Sequence, residues 1–265
     1  MRAALTRHWP EYLIEAAGLG LFMVSASLFA VLLFHPRSPV LVVLDGVLAR
    51  RALMGLAMGL TAITLIYSPW GRRSGAHFNP AVTLTFFRLG KVEAWDAAFY
   101  VVAQFAGGTC GILLVAAVAG PFVGDPAVNY VVTVPGAAGA AMAFAAEVAI
   151  AFCMMTTVLT VSNSPRWADL TGLCAGALVA AYITIEAPLS GMSLNPARTF
   201  ASAVPADVWQ AFWIYLTAPL VGMWLAAELR VRWSRRPVIC AKLQHAHPCI
   251  FCGSERGFAE LRQEN

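Results

Sequence analysis

Long runs of apolar residues alternate with short polar stretches along this chain of 265 residues. A helix needs roughly 20 apolar residues to cross the hydrocarbon core of a bilayer. Six runs reach about that length: residues 12–34, 47–67, 95–119, 138–161, 168–186 and 209–231. The pattern therefore predicts an all-α membrane protein with six transmembrane helices.

Two further apolar segments, residues 80–89 and 196–204, are too short to span. The first follows the second predicted span, and the other follows the fifth. Backbone that ends at membrane depth is tolerated only where it is buried in protein or lines a wet cavity. We therefore expect both segments to be re-entrant half-helices.

Each half-helix begins in a copy of one motif. Residues 74–84 read SGAHFNPAVTL, and residues 190–200 read SGMSLNPARTF. Proline suits the first position of a helix, and the asparagine before it suits the N-cap, where its oxygen accepts a backbone N–H and its NH₂ remains to donate. The shared core of the two motifs consists of Asn79, Pro80, Ala81, Asn195, Pro196 and Ala197.

The two copies lie 116 residues apart, close to half the chain. Because each half has three spans, an odd number, the second half must enter the membrane from the opposite side. The half-helices then meet near the midplane, which makes this an inverted tandem repeat. The predicted units are a cytoplasmic N-terminus (1–11), a first repeat (12–119), a connecting loop (120–137), a second repeat (138–232) and a cytoplasmic tail (233–265).

Composition and charge agree with a membrane location. Charged residues make up 12% of the chain, against about 25% in soluble domains, and hydrophobic residues make up 59%. With the N-terminus inside, 14 of the 18 Lys and Arg residues fall on the inner side and 4 on the outer side. The apolar spans predict a multi-pass protein of the cell membrane, and this distribution predicts that both termini face the cytoplasm.

Other classes find no support in the sequence. The basic residues form no aromatic-interleaved patch, so the net charge of +4 does not indicate nucleic-acid binding. The sequence has no catalytic triad, phosphate loop or nucleotide signature, and we expect no enzymatic activity.

The paired Asn-Pro-Ala motif resembles the signature of the aquaporin and glycerol-facilitator (major intrinsic protein) family, in its bacterial type, over about residues 12–232. The resemblance implies a passive channel and a homotetramer in the lipid bilayer, in which each protomer holds its own pore. Water is the cargo we predict. Another small neutral solute, such as glycerol, urea, ammonia or hydrogen peroxide, is the alternative.

The resemblance also implies a narrow outer filter. We place it at Met58, Ile183, Met192 and Arg198, with Gly59 as the alternative to Met58. A fixed cation inside a membrane is costly and therefore functional by default, although Arg198 also suits a role in holding loop carbonyls. The other three residues are apolar and favour neutral solutes. Thr199 and Ala203 match the water channels of the family and not its glycerol facilitators.

Two acids and one histidine lie near the motifs or within spans. We expect Glu15 and Glu147 to accept bonds from loop N–H groups that have no water to pair with, as these acids do in the family. The alternative role is proton relay in a proton-coupled transporter. His77 is expected to brace the first loop, and a pH gate is the alternative.

The tail lies outside the resemblance and carries five potential metal ligands. They are Cys240, His245, His247, Cys249 and Cys252. A Cys-x-x-Cys pair with two histidines nearby is typical of a tetrahedral zinc site. We expect reduced thiols and no cofactor here, and a zinc ion held by these residues is the alternative.

Overall fold

The structure is a computed structural model that describes residues 1–164, 166–234, 237–244 and 249–252. Every regular element in these ranges is helical, which confirms the predicted all-α fold. The α-helices are α1 (Arg2–Phe34), α2 (Val40–Val43), α3 (Val47–Tyr67), α4 (Pro69–Ser74), α5 (Pro80–Arg88), α6 (Ala94–Val123), α7 (Gly139–Ser162), α8 (Thr171–Ile185), α9 (Ala187–Ser190), α10 (Pro196–Ala206) and α11 (Phe212–Trp233). Short 3₁₀ turns lie at Asn129–Val131 and Ala168–Leu170.

Six helices in the described ranges are long and apolar enough to cross a membrane, as predicted. They are α1, α3, α6, α7, α8 with the 3₁₀ turn before it, and α11. Helix α1 begins ten residues earlier than the predicted span, at Arg2. A span was predicted only where the chain is apolar, whereas backbone hydrogen bonds continue the helix through the polar residues before it.

The spans pack with two-fold regularity. Helix α1 lies along α6, α7 lies along α11, and α3 contacts α8 between the two pairs. Glycine permits the close approach in both pairs: a Cβ on Gly107 would lie 2.0 Å from the carbonyl oxygen of Ala16, and one on Gly222 would lie 2.3 Å from that of Val148. Matching crossings in the two halves are what an inverted repeat predicts.

The half-helices α5 and α10 have 9 and 11 residues. At about 1.5 Å per residue, neither reaches across a hydrocarbon core of about 30 Å. Helix α5 packs against α11 and α10 packs against α6, so each half-helix contacts the third span of the opposite repeat. Both half-helices therefore end inside the bundle.

Candidate functional site

A cavity of about 320 Å³ lies between the two repeats. Helices α1, α3, α7, α8 and α11 and both motif loops contribute to its wall, which is mostly apolar. Of the lining residues, Arg51 lies near the start of α3 and Leu65 lies near its end. We call the end of the cavity with Leu65, Val158 and Leu243 the tail-side mouth, and the end with Phe34 and Arg51 the far mouth. The two motifs reach the cavity between these mouths.

The motif asparagines cap the half-helices that they precede. Asn79 Oδ1 accepts from the backbone N–H of Ala81 at 2.8 Å, and Asn195 Oδ1 accepts from that of Ala197 at 3.1 Å. Pro80 and Pro196 occupy the first helical positions. The structure therefore places both asparagines at N-caps, as the sequence predicts.

The same asparagines also join the two loops, a contact that the sequence did not predict. Asn79 Nδ2 donates to the carbonyl oxygen of Leu194 at 2.8 Å, and Asn195 Nδ2 donates to that of Phe78 at 2.8 Å. One N–H of each amide is therefore used within the protein, whereas we had expected the whole NH₂ group to remain available. The second N–H of each amide remains for a molecule in the cavity.

Glu15 holds the first loop, residues 74–79. Its Oε1 accepts from Ser74 Oγ at 2.7 Å and from the backbone N–H of His77 at 3.1 Å. Its Oε2 accepts from the backbone N–H of Phe78 at 2.5 Å and from Gln104 Nε2 at 2.8 Å. Four donors satisfy one fully buried carboxylate, and their bonds fix the conformation of the loop.

Glu147 holds the second loop, residues 190–195, in the same way. Its Oε1 accepts from Ser190 Oγ at 2.8 Å and from the backbone N–H of Ser193 at 2.6 Å. Its Oε2 accepts from the backbone N–H of Leu194 at 2.8 Å. The described contacts give this carboxylate three donors where Glu15 has four.

A pair of tyrosines completes the support. Tyr100 donates its hydroxyl hydrogen to the carbonyl oxygen of Ser74 at 2.7 Å, and Tyr215 donates to that of Ser190 at 2.6 Å. Neither tyrosine was predicted as a support residue. The signal was present, because Tyr100 lies three residues before the segment AQFAG (103–107) and Tyr215 lies three residues before the matching segment APLVG (218–222).

Both loops have the same unusual backbone. Three residues in each have positive φ angles, at matching positions: Gly75, Ala76 and Phe78 in the first loop, and Gly191, Met192 and Leu194 in the second. Non-glycine residues in this region of φ are strained and persist only where the surroundings fix them. The carboxylate and tyrosine bonds supply that constraint in both loops.

All four predicted filter residues line the cavity, namely Met58, Ile183, Met192 and Arg198. Gly59 does not suit the filter, because a Cβ placed on it would lie 2.6 Å from the carbonyl oxygen of Gly176 on α8. The geometry therefore favours Met58 over Gly59 at this position. Arg198 lines the cavity, and its buried Nη1 has no hydrogen-bond partner among the described residues.

His77 connects the first loop to the tail. Its Nδ1 lies 3.0 Å from Thr83 Oγ1, and its Nε2 lies 2.8 Å from the carbonyl oxygen of Ala241. Because a carbonyl oxygen only accepts, Nε2 carries a proton. The ring therefore joins the first half-helix to the tail, a contact that was not predicted from the sequence.

Three of the potential metal ligands lie together in the tail. The sulfur atoms of Cys240, Cys249 and Cys252 are all within 4.8 Å of one another. His245 and His247 lie outside the described residues. Hydrogen bonding to the neighbouring thiols, Cys249 above all, and burial raise the pKa of the Cys240 thiol.

Six spans and two half-helices that meet end to end at a cavity define a membrane channel. The sequence profile of the family described as Major intrinsic protein matches residues 5–229. The chain belongs to the major intrinsic protein family, whose members are passive channels for small solutes and not enzymes. It is therefore an integral, multi-pass membrane protein.

The relatives include aquaporins and glycerol facilitators. The chain is 36% identical over 225 residues to glycerol uptake facilitator protein-like 6 of Lactiplantibacillus plantarum, covering 82% of this chain and 94% of that protein. It is 38% identical over 168 residues to aquaporin NIP2-3 of Zea mays, covering 63% of this chain. The match spans about half the length of the maize protein (54%) and of Arabidopsis thaliana aquaporin NIP6-1 (53%).

A solved structure shares the fold. The X-ray structure of the aquaglyceroporin from Plasmodium falciparum matches with a TM-score of 0.66 and 20% sequence identity. The match covers 85% of this chain and 96% of that one. The fold is thereby established, while the cargo is a separate question.

Proposed function

We propose that the protein is a passive channel for water in the cell membrane, with both termini in the cytoplasm. The main observation in support is that two half-helices meet at the cavity, where Asn79 and Asn195 each donate a hydrogen bond to the opposite loop. The distribution of Lys and Arg supports the orientation. The family resemblance alone supports a homotetramer.

The meeting point favours neutral molecules. Each half-helix contributes about half an elementary positive charge at its N-terminus, and the two contributions add where the helices face each other. A water molecule that accepts from the remaining N–H groups of Asn79 and Asn195 turns its own hydrogens away from both. This orientation breaks a proton-conducting chain of waters and leaves the flow of neutral molecules intact.

Arg198 provides a second barrier to cations. The residue lies one turn into α10 and lines the cavity, where its buried Nη1 faces no protein acceptor among the described residues. A fixed positive charge in a low dielectric repels a cation and can donate to a water oxygen. Cation exclusion therefore does not depend on the half-helices alone.

Small neutral solutes other than water are the second candidate cargo. Met58, Ile183 and Met192 give the filter three apolar sides. Apolar walls suit molecules such as glycerol, urea, ammonia or hydrogen peroxide, and flexible methionine side chains adapt to their shape. This cargo is an alternative within the same passive mechanism.

The contacts of Glu15 and Glu147 argue against proton coupling. Both carboxylates are fully buried, and neither belongs to the cavity lining that the described residues form. Their oxygens are occupied by loop donors, so moving a proton through them would break the support of both loops. We therefore assign them a structural role.

Stopped-flow light scattering on proteoliposomes tests the cargo. The vesicles are shocked first with an impermeant osmolyte and then with glycerol, beside protein-free vesicles. Fast shrinkage with slow glycerol re-swelling supports the water channel. Slow shrinkage with fast re-swelling would give first place to the second candidate, and no difference from empty vesicles would contradict both.

A matched pair of variants links the flow to the cavity. Ile183→Trp fills the filter, whereas Leu173→Trp adds the same bulk to an exposed position of the same helix. We expect shrinkage to slow in Ile183→Trp and to stay at the wild-type rate in Leu173→Trp. Equal rates in the two variants would mean that the flow does not pass this cavity.

A further inference from the structure

A tail segment that the proposed pore does not require folds back onto the channel. We define this tail segment as residues 237–244 and 249–252. The backbone N–H of Ile239 donates to Asn163 Oδ1 at 2.7 Å, and that of Leu243 donates to the carbonyl oxygen of Gly75 at 3.1 Å. The segment is thereby attached both to the end of α7 and to the first loop.

The tail segment forms part of the tail-side mouth. Leu243 lines the cavity, and the carbonyl oxygen of Ala241 accepts from His77 Nε2 at 2.8 Å. The ring of Phe251 stacks on the ring of His77, with 5.5 Å between centroids and 5° between planes. The side chains of Leu243 and Phe251 therefore depend on how the tail segment is held.

The three tail cysteines lie close in sequence to Leu243 and Phe251. Cys240 precedes Leu243 by three residues, and Cys249 and Cys252 flank Phe251. Cys240 Sγ and Cys249 Sγ lie 3.5 Å apart, and all three sulfurs lie within 4.8 Å of one another. Two thiolates on one tetrahedral zinc ion, at about 2.3 Å from the metal, lie roughly 3.8 Å apart.

The surroundings also suit a bound cation with anionic ligands. Cys240 and Cys249 are buried, so water competes weakly for the position. Lys242 is buried beside them and interacts electrostatically with all three cysteines. Three thiolates on Zn²⁺ leave one net negative charge, which the Lys242 ammonium compensates.

We propose that Cys240, Cys249 and Cys252 bind one zinc ion, which holds Leu243 and Phe251 at the tail-side mouth. Each thiol releases its proton to solvent when its sulfur binds the metal, and water or a further side chain completes the tetrahedron. The statement about the mouth rests on the proposed channel function, whereas the statement about zinc does not. Removal of the ion frees the tail segment and widens the mouth.

Metal content tests the zinc site directly. The full chain is purified in detergent with a phosphine reductant, supplied with zinc and desalted before elemental analysis. The tail variant is Cys249→Ser with Cys252→Ser, and the matched span variant is Cys110→Ser with Cys174→Ser. We expect about one zinc per chain in the wild type and span variant, and less than about 0.1 in the tail variant.

Two results would overturn the zinc site. One is equal zinc content in the tail and span variants. The other is a wild-type chain that binds no zinc. If mass analysis of unreduced protein then shows a disulfide between tail cysteines, the cluster is a redox pair and not a metal centre.

Water permeability tests the effect on the mouth. We expect chelation of zinc to raise the permeability of wild-type proteoliposomes at least about twofold and to leave the tail variant unchanged. Equal permeability before and after chelation would overturn the role at the mouth. If no preparation is more permeable to water than empty vesicles, the proposed channel function is wrong. The metal content still tests the zinc site in that case.

Discussion

The two motif loops share a frame but differ in what they present to the cavity. In both, a buried glutamate accepts loop donors and a tyrosine binds the carbonyl oxygen of a serine. Where the first half-helix has Val82, the second has Arg198, and where the first loop has His77, the second has Ser193. The shared residues build the loops, and the unmatched ones give each end of the cavity its own chemistry.

The histidine position shows what a larger side chain adds. Ser193 Oγ lies within hydrogen-bonding distance of Thr199 Oγ1, just as His77 Nδ1 lies 3.0 Å from Thr83 Oγ1. The imidazole has a second nitrogen, and this nitrogen reaches the tail at Ala241. An inverted repeat thus becomes asymmetric at single positions while its backbone stays symmetric.

The largest expected effect comes from removing a loop support. Glu147→Ala leaves two backbone N–H groups and a hydroxyl without their acceptor, and we expect it to destabilise the fold by about 3 kcal/mol or more. Glu15→Ala should cost at least as much, because Glu15 has four donors. The measurement is the apparent melting temperature in detergent.

Glu228→Ala is the control for this prediction. Glu228 pairs with Arg88, and both side chains are at least a third exposed, so their pair contributes little. A melting temperature for Glu147→Ala equal to that of the control would show that the carboxylate does not support the second loop.

The next largest effect concerns charge selectivity, which we test at the corresponding positions Val82 and Arg198. Arg198→Ala removes the fixed cation from the filter, and we expect the cation leak across proteoliposomes to rise at least about tenfold. Val82→Ala truncates the corresponding residue of α5 and should leave the leak unchanged. Equal leaks in the two variants would mean that Arg198 is not part of the barrier.

The asparagines test the shared part of the comparison. Asn79→Asp and Asn195→Asp each remove the donor to the opposite loop and add negative charge where the two half-helices meet. We expect both variants to admit cations, to extents that agree within about threefold, because the two sites have the same geometry. Conductance of planar bilayers is the measurement. Intact exclusion in either folded variant would contradict the symmetric account.

The smallest effect concerns the tail contact of the first loop. His77→Ser gives the first loop a serine, as the second loop has at Ser193. The change removes the hydrogen bond from His77 to Ala241, and we expect this bond to contribute about 1 kcal/mol. In zinc-free, reduced protein, we expect alkylation of Cys240 to accelerate about fivefold. Ser193→Ala, in the loop that does not contact the tail segment, should leave the rate unchanged, and a similar rate in both variants would refute this role of His77.

Much of the fold could be predicted from the sequence, because a membrane makes the length of an apolar run decisive. The six spans follow from this rule, and the paired motif locates both half-helices. Tyr100 was also within reach, since its counterpart Tyr215 occupies the same position in the second repeat. The repeat boundaries stay predictions. The roles of the filter residues also stay predictions, and measurements of permeability test them.

Other contacts could not be predicted for physical reasons. Asn79 and Leu194 are 115 positions apart in the chain, and no local pattern specifies which carbonyl an amide will meet. His77 and Ala241 are 164 positions apart, and the tail has no apolar period to indicate a buried face. Contacts of this kind depend on the packed fold and are visible only in the structure.

The most direct test of the central claim is water and proton permeability measured on one preparation of wild-type proteoliposomes. Shrinkage after an osmotic shock reports water, and an internal pH indicator under an imposed proton gradient reports protons. The account predicts shrinkage much faster than in empty vesicles, with a proton leak equal to theirs. A proton leak that rises together with water permeability would contradict it, because the facing half-helices would then fail to interrupt the chain of waters.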